Sequence, residues 1–477
     1  MFGVGMGVFM ATLDASIVNI SLPTLVKDLN TDFATIEWVV LSYTLVLTSL
    51  ILGAARLGDM YDKKKLYLAG LALFTLSSLL CGLAPNVYWL IGFRALQGLG
   101  AAMAQALGTA IITEVFPVSE RGRALGIIGT TVSTGIAIGP PLGGLLIGLF
   151  GWQSIFLVNL PVSILALFVV SRFVPSSSTR PGQRFDGAGA VVLFFTLACY
   201  ALGMTIGQYE GFSSAATRML LLSALAGLAL FLFLERRVAQ PMVDLSLFRN
   251  ILFSLNLVMG FLVFVVMGGM FIMPFFLQLV KGFSTQQVGL LLMVNPITMG
   301  LIAPIAGTLS DRFGSRGISL IGLVMIIIGC LTVSTLNPSI TAGGFILRML
   351  PFAIGLGMFQ SPNNSAIMGA APRDRLGVSS GLLALSRTLG TTTGLPMMGA
   401  VFTSLVVASA NLGPAVDITT APANALVYGI NGTYRLAAFF VLGAVVLATM
   451  ALLIDSRRKK AALKQTEVES RLPTSHD

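Results

Sequence analysis

The sequence predicts an all-α integral membrane protein of two six-helix bundles with two further helices between them. Its composition, its series of apolar segments and an internal repeat predict this class. Hydrophobic residues make up 55% of the 477 residues and charged residues only 10%, whereas soluble domains carry about 25% charged residues. Apolar runs of membrane-spanning length recur along the whole chain. We therefore expect an integral membrane protein rather than a soluble protein with a single anchor.

Fourteen apolar segments are candidate membrane spans. A spanning helix needs about 20 mostly apolar residues. The seventh and eighth segments carry no charged residue except Arg218, so we expect this inserted pair to face lipid. The predicted spans are 4–26, 36–58, 66–84, 88–115, 124–148, 152–172, 187–207, 217–234, 253–280, 285–308, 318–336, 342–369, 378–408 and 432–454.

The basic residues predict the orientation of these spans. Of the 29 Lys and Arg residues, only Lys27, Arg218 and Lys281 fall in segments predicted to face outward. Because cytoplasmic segments are enriched in Lys and Arg, this pattern favours an even number of spans. We expect a multi-pass protein of the inner (plasma) membrane with both termini cytoplasmic. The net charge of +10 then reflects topology and attraction to anionic lipid heads, and it requires no nucleic acid.

A repeated pattern divides the chain into two halves. Residues 55–64 return in similar form at 307–316, and Arg94 returns as Arg348 at nearly the same spacing. Repeated halves around a central site are typical of secondary transporters. The predicted domains are an N-terminal six-helix bundle (1–173), a linker with two inserted helices (174–252), a C-terminal six-helix bundle (253–455) and a basic cytoplasmic tail (456–477).

Asp14 is the only charged residue in the first span. A charged side chain at the centre of a membrane helix costs about 3 kcal/mol on insertion scales, so such residues are rare and commonly functional. One interpretation is that Asp14 binds a proton from the outer side and releases it inside, in exchange for substrate. The alternative is that Asp14 hydrogen-bonds within its own bundle and only fixes the packing of the helices.

Other polar residues of the spans extend the candidate site. Glu37 and Glu114 are further proton-coupling candidates, but both lie near span ends, where ordinary solvation is the alternative. Met and Phe residues crowd the segment 267–276, which is either an adaptable substrate surface or a lipid-facing or core stripe. The residues expected to bind substrate, or else to bridge helices, are Asn19, Gln97, Gln105, Asn256, Gln278, Asn295, Gln360 and Asn363.

The composition also argues against several chemistries. The three Cys residues fall in apolar spans and the single His lies in the tail, so we expect neither a metal site nor His-based catalysis. The sequence has no Gly-x-x-x-x-Gly-Lys-Ser/Thr phosphate loop, which argues against direct use of ATP. We expect no enzyme activity, no catalytic residue and no cofactor.

Two helical motifs carry a resemblance to a known family. The segment 13–23 reads Leu-Asp-Ala-Ser-Ile-Val-Asn-Ile-Ser-Leu-Pro, and 94–100 reads Arg-Ala-Leu-Gln-Gly-Leu-Gly. They resemble the helix-1 motif and the Arg-x-x-Gln-Gly motif of the fourteen-helix drug–proton antiporter branch of the major facilitator superfamily. The resemblance implies that Arg94 takes part in proton coupling. The alternative is a buried arginine that satisfies backbone carbonyls.

Two further motifs imply gates between the halves. Residues 307–316 match the superfamily loop pattern Gly-x-Leu-x-Asp-Arg-x-Gly-Arg-Lys/Arg better than residues 55–64, where Asp62 replaces a Gly and leaves the turn geometry open. The run Gly-Ile-Ala-Ile-Gly-Pro-Pro-Leu-Gly-Gly at 135–144 is similar to the antiporter motif that seals helix 5 against the other half. By this resemblance the gating residues are Asp59, Arg121, Asp311, Arg312, Gly139, Pro140, Gly143 and Gly144.

The resemblance implies a proton-coupled antiporter that exports amphiphilic compounds by alternating access, as in multidrug efflux and antibiotic resistance. The C-terminal spans contain no acidic residue, which favours lipophilic monocations or neutral compounds over dications. A proton-coupled exporter or flippase for a lipid or metabolite is the alternative, and a non-transporting receptor is a more remote one. The expected partners are protons, a small amphiphilic substrate and membrane lipids, and the chain is expected to be a monomer.

Overall fold

The computed structural model describes residues 2–115, 118–176, 186–238, 241, 243, 245–370, 376–410 and 421–471. The regular elements in these ranges are all helical, which confirms the predicted all-α class. In chain order we number them α1 (Phe2–Asp28), α2 (Phe33–Met60), α3 (Lys63–Gly82), α4 (Val87–Val115), α5 (Val118–Phe150), α6 (Ser154–Phe173), α7 (Gly187–Glu210), α8 (Ala215–Glu235), α9 (Ile251–Val280), α10 (Thr285–Leu292 and Val294–Phe313), α11 (Ser315–Val333), α12 (Ala342–Ala370), α13 (Leu376–Ala410) and α14 (Ala423–Arg471).

The lengths and apolar character of these helices suit a multi-pass membrane protein. Within the described residues, 12 helices are long and apolar enough to cross a bilayer. Within the described part of α5, Thr134–Phe150 is a further, shorter apolar helix. The multi-pass class is confirmed, whereas the count of fourteen crossings and the domain boundaries remain predictions.

Side-chain caps fix where several helices begin. Asp32 accepts a hydrogen bond from the backbone N–H of Thr35 at 2.6 Å, at the start of α2. Asp62 accepts one from the backbone N–H of Lys64 at 3.0 Å and caps α3. A carboxylate at a helix N-terminus satisfies a free N–H and complements the helix dipole. Asp62 thus has a local structural role in the loop where it departs from the family pattern.

The same packing pattern recurs in the two halves. In the N-terminal half, α4 packs against α2 and α3, α1 packs against α5 and α6, and α3 contacts α6. In the C-terminal half, α12 packs against α10 and α11, α9 packs against α13 and α14, and α11 contacts α14. Each half is therefore a six-helix bundle in which the first helix contacts the fifth and sixth.

Aromatic side chains join the halves at the outer end, the end of the bundle that holds Phe33 and Lys281. Phe33 of α2 packs on Phe271 and Phe275 of α9, with ring centroids 5.8 and 4.9 Å apart, and on Phe402 of α13 at 6.3 Å. All four rings are buried. Phe271 and Phe275 are therefore part of the seam between the halves and do not face lipid.

The inserted pair is positioned differently from the prediction. Helix α7 packs against α2 of the N-terminal half and α13 of the C-terminal half, whereas α8 packs mainly on α7. The Tyr200 hydroxyl of α7 lies 2.8 Å from the Thr393 hydroxyl of α13. The expectation that both inserted helices face lipid is wrong for α7, because this helix carries polar side chains that bond to both bundles.

Candidate proton-coupling and substrate site

The Asp14 carboxylate lies at the centre of a polar cluster inside the N-terminal bundle. Its Oδ2 accepts a hydrogen bond from Arg94 of α4 at 2.6 Å. Its Oδ1 accepts one from Gln97 of α4 at 3.0 Å and one from Asn159 of α6 at 2.8 Å. All four side chains are at most 1% exposed. The Asp14 carboxyl group is therefore buried, accepts hydrogen bonds from several donors and has no direct contact with solvent.

The Arg94 guanidinium joins the Asp14 carboxylate to α2. Its Nε donates to the Val39 carbonyl oxygen at 3.0 Å, and its Cζ lies 4.3 Å from the Tyr43 ring centroid. One terminal nitrogen also donates to Gln97 Oε1 at 2.6 Å. Arg94 therefore satisfies a backbone carbonyl, as the alternative interpretation expected, and pairs with Asp14, while its part in proton coupling remains a prediction.

The sequence analysis did not single out three members of this cluster. Asn159 donates to Asp14, Ser78 of α3 accepts from Gln97 at 2.8 Å, and Tyr43 covers the guanidinium. In the sequence they stand out only as polar residues deep within apolar spans. Many residues with a purely structural role share this feature. Gln97 was predicted to bind substrate, yet in this structure it is fully buried and bonded within the cluster.

The Asp14–Arg94 charge pair depends on whether Asp14 carries a proton. Removing one partner of a buried ion pair leaves an uncompensated charge, which is strongly destabilising. A proton on Asp14 would neutralise the anion and leave Arg94 as an unpaired cation. Protonation of Asp14 would therefore weaken the contact between α1 and α4.

Small residues of α5 connect the Asp14 region to the other half. A Cβ on Gly139 would lie 2.6 Å from Ser16 Cβ, and one on Gly143 would lie 2.6 Å from Ile17 Cγ1, so α5 lies directly on α1. A Cβ on Gly144 would lie 2.6 Å from the Thr285 carbonyl oxygen of α10. The helix-5 motif thus touches both the helix of Asp14 and the C-terminal bundle.

The α5–α10 contact is close from both sides. Gly289 of α10 faces the Pro140 carbonyl oxygen, and an added Cβ would clash with it. Small residues allow membrane helices to approach in this way. The structure places Pro140 and Gly144 at this contact between the halves, while their role as a gate remains a prediction.

Glu37 lies in a buried position that the sequence analysis did not favour. It is 1% exposed, and its Oε2 accepts a hydrogen bond from Gln208 of α7 at 2.5 Å. A Cβ on Gly399 of α13 would lie 2.9 Å from Glu37 Oε1. The alternative of an ordinary solvated helix end is therefore wrong, because Glu37 is enclosed by α2, α7 and α13.

The predicted substrate residues are dispersed through both halves. Gln278 donates to the Ile20 carbonyl oxygen at 3.5 Å and lines a cavity of about 690 Å³ at the outer end, together with Lys27 and Asp28. Asn256 and Asn363 are buried, and Asn363 donates to the Asn256 carbonyl oxygen at 3.3 Å. The remaining predicted residues, all buried or partly buried, are Asn19, Gln105, Asn295 and Gln360.

Most charged residues of the predicted gates cannot be placed. The side chains of Asp59, Arg121 and Asp311, and of the proton-coupling candidate Glu114, lie outside the described residues. Arg312 is exposed, with its guanidinium carbon 5.4 Å from the Phe313 ring centroid.

Comparison with known proteins gives one consistent family. The Major Facilitator Superfamily model matches residues 4–395. The chain is 35% identical over 415 residues to the multidrug resistance protein Stp of Mycobacterium tuberculosis (strain CDC 1551 / Oshkosh), which covers 87% of this chain and 77% of Stp. It is also 35% identical over 401 residues to the riboflavin transporter RibZ of Clostridioides difficile (strain 630), which covers 83% of this chain and 86% of RibZ.

The fold agrees with this result. A bacterial homologue of the human lysosomal transporter Spinster, solved in an inward-facing and unoccupied conformation, superposes with a TM-score of 0.68 at 16% identity and covers 94% of this chain and 95% of that chain. The relatives are transporters rather than enzymes. This chain belongs to the major facilitator superfamily.

Proposed function

We propose that this protein is a proton-coupled antiporter of the fourteen-helix drug–proton branch, which exports amphiphilic compounds by alternating access. The buried Asp14–Arg94 pair carries the proposal, because an ionisable pair inside a membrane bundle is costly and commonly functional. Similarity to a multidrug resistance protein supports efflux as the direction. We place the protein in the plasma membrane with both termini in the cytoplasm, as the distribution of basic residues favours.

The proposed cycle begins with the protonation of Asp14. Loss of the negative charge separates Arg94 from Asp14 and shifts α1, whose Ser16 donates to the Ile136 carbonyl oxygen of α5 at 3.0 Å. Since α5 also contacts α10, a shift at α1 changes the contact between the bundles. Proton binding on one side and release on the other would thereby bias the rocking of the two halves.

Glu37 is the second proton-coupling candidate in this scheme. It is buried where α2, α7 and α13 meet, so its charge state affects a contact among both bundles and the inserted pair. Protonation of Glu37 would weaken the charge-assisted bond from Gln208. We propose that Glu37 adjusts the closure of the outer end, while Asp14 remains the principal proton carrier.

A metabolite exporter is the second candidate function. The similarity to a riboflavin transporter favours it, because the identity matches that of the multidrug resistance relative and the coverage is comparable. Export of a lipid or metabolite would use the same coupling cluster with a more selective substrate site. A non-transporting receptor would have no need for the Asp14 cluster to change its protonation.

Proton movement during transport tests the proposal. In proteoliposomes that contain a trapped pH indicator, a substrate gradient should drive proton flux through the parent protein. The Asp14→Asn variant, which retains the shape of the side chain, should lose this flux. The Arg348→Gln variant is the control, because Arg348 lies in the C-terminal bundle, where it bonds to Thr335 and Gly344. Unchanged proton flux in Asp14→Asn would contradict the proposal.

A further inference from the structure

The C-terminal bundle contains a charged residue that the proposed cycle does not use. Arg387 lies about 16 Å along α13 from its first residue, at about 1.5 Å per residue, and so lies well inside the span. Its guanidinium donates to Asn364 Oδ1 of α12 at 2.6 Å and lies 5.6 Å from the Phe264 ring centroid of α9. Because its guanidinium contacts two other helices, Arg387 faces the interior of the bundle.

Arg387 has no acidic partner in the part of the chain that the structure describes. The sequence explains this, since the acids inside predicted spans are Asp14, Glu37 and Glu114, all in the N-terminal half. Asp14 is bound to Arg94, and Glu37 is bonded to Gln208. Glu114 is the penultimate residue of α4, whereas Arg387 lies deep in its helix.

The guanidinium also has donors to spare. It carries five N–H groups, and within the described residues one of its nitrogens donates to Asn364. None of its nitrogens is among the fully buried polar atoms that lack a partner there. Arg387 is only partly buried, whereas Arg94 is sealed within its cluster. A partly buried cation without an acidic partner among the described residues is suited to an acceptor from outside the protein.

The surroundings of Arg387 suit a ligand with an apolar body. Phe264 offers an aromatic face next to the guanidinium, and one turn further along α9 the Met267 sulfur lies 3.8 Å from Gln360 Nε2. Met and aromatic side chains adapt to varied apolar shapes. The guanidinium fork matches carboxylate, sulfonate and phosphate oxygens, and like charge disfavours a cation beside it.

We infer that Arg387 binds the acidic head of the substrate, so that the exported compounds are anionic amphiphiles rather than lipophilic cations. The site comprises Arg387 and Asn364 for the head, with Phe264, Met267 and Gln360 along the body. This inference rests on the proposed export function for the fate of the ligand, but binding can be measured without transport. It favours acidic compounds over the monocations that the sequence analysis expected.

Equilibrium binding tests the inference with two aromatic dyes of opposite charge. Fluorescence polarisation of carboxyfluorescein and of ethidium would be measured with the purified full chain in detergent. The variants are Arg387→Gln, Arg387→Lys and, as the matched control, Arg348→Gln. Thermal unfolding of each variant would verify that it is folded.

We expect the parent to bind carboxyfluorescein and Arg387→Gln to bind it about tenfold or more weakly, the usual effect of losing a charge-assisted hydrogen bond. Arg387→Lys should recover part of the affinity, and Arg348→Gln should bind like the parent. Ethidium affinity should stay unchanged or increase in Arg387→Gln.

Three results would overturn the inference: no saturable carboxyfluorescein binding by the parent, equal affinity in Arg387→Gln, or an equal loss in Arg387→Gln and Arg348→Gln. The binding assay also separates this inference from the proposed function. If binding depends on Arg387 but the protein moves no protons, only the antiport proposal is contradicted. If transport is coupled to protons but binding does not depend on Arg387, only the anionic-ligand inference is contradicted.

Discussion

The two bundles share a packing pattern but differ in how they hold an arginine inside the bundle. In the N-terminal bundle, Arg94 is buried against Asp14, and donors from α4 and α6 complete the hydrogen bonds of the carboxylate. In the C-terminal bundle, Arg387 bonds to the Asn364 amide and is only partly buried. A charge pair can be broken when its carboxylate binds a proton, whereas a cation without an acidic partner can bind an anion. The difference suggests that proton coupling and substrate binding are divided between the halves.

The largest expected effect is the removal of the Asp14 carboxylate. Asp14→Ala should lower the free energy of unfolding by about 3–5 kcal/mol, because it leaves Arg94 buried without its anion. The double variant Asp14→Ala/Arg94→Leu should recover much of this loss, since it removes both charges. Denaturant unfolding in detergent measures both. Equal stability of the single and double variants would show that the charge pair is not the source of the loss.

A direct comparison of the two arginines sharpens the contrast. Arg94→Gln should cost about 3–5 kcal/mol, because Asp14 would remain as a buried anion. Arg387→Gln should leave the stability nearly unchanged, since no acidic partner among the described residues is deprived of its cation. The midpoint of thermal unfolding measures both variants. A large loss in Arg387→Gln would mean that Arg387 is a structural residue.

An added methyl group at the close contact between α5 and α10 should destabilise the protein. Gly144→Ala and Gly289→Ala place a Cβ against backbone oxygens of the opposite half, and overpacking of this kind costs about 1–3 kcal/mol. Both variants should also slow dye transport in proteoliposomes. Gly300→Ala is the control on α10, because its Cβ would meet no atom within 4 Å. If Gly300→Ala slows dye transport as well, the slowing does not arise from this contact.

The smallest expected effect concerns the inserted helix α7. Tyr200→Phe removes the hydroxyl that lies 2.8 Å from Thr393, which should cost about 1 kcal/mol. The transport rate should change little, because the Glu37–Gln208 bond remains. Thermal unfolding and dye transport measure the two quantities. A large loss of transport would mean that the Tyr200–Thr393 contact itself takes part in the transport cycle.

Apolar length and composition were sufficient to predict the helical membrane class, because the bilayer leaves few alternatives for an apolar chain. They also identified Asp14 and Arg94, since a charge in a span is conspicuous. They did not distinguish Asn159 from other polar residues, because uncharged side chains in spans are common and only the packing of α6 brings this one to Asp14.

The partners of Arg348 and the burial of Glu37 became clear only from the three-dimensional structure. Arg348 corresponds to Arg94 in the repeat and lies at a similar distance from the start of its helix, but it bonds to the Thr335 hydroxyl and the Gly344 carbonyl oxygen. Glu37 lies near the start of α2, and it is buried because α7 and α13 cover it. Sequence alone could not show this covering, since it depends on where the inserted pair packs.

The central claim is that Asp14 gains and loses a proton within this buried cluster. Infrared difference spectroscopy of the reconstituted protein, parent against Asp14→Asn, measures this directly over a pH titration. The account predicts a protonated-carboxyl stretching band that appears on acidification of the parent and is missing in the variant. If the two proteins give the same spectra at every pH at which they stay folded, Asp14 remains ionised and serves only to fix the packing of the bundle.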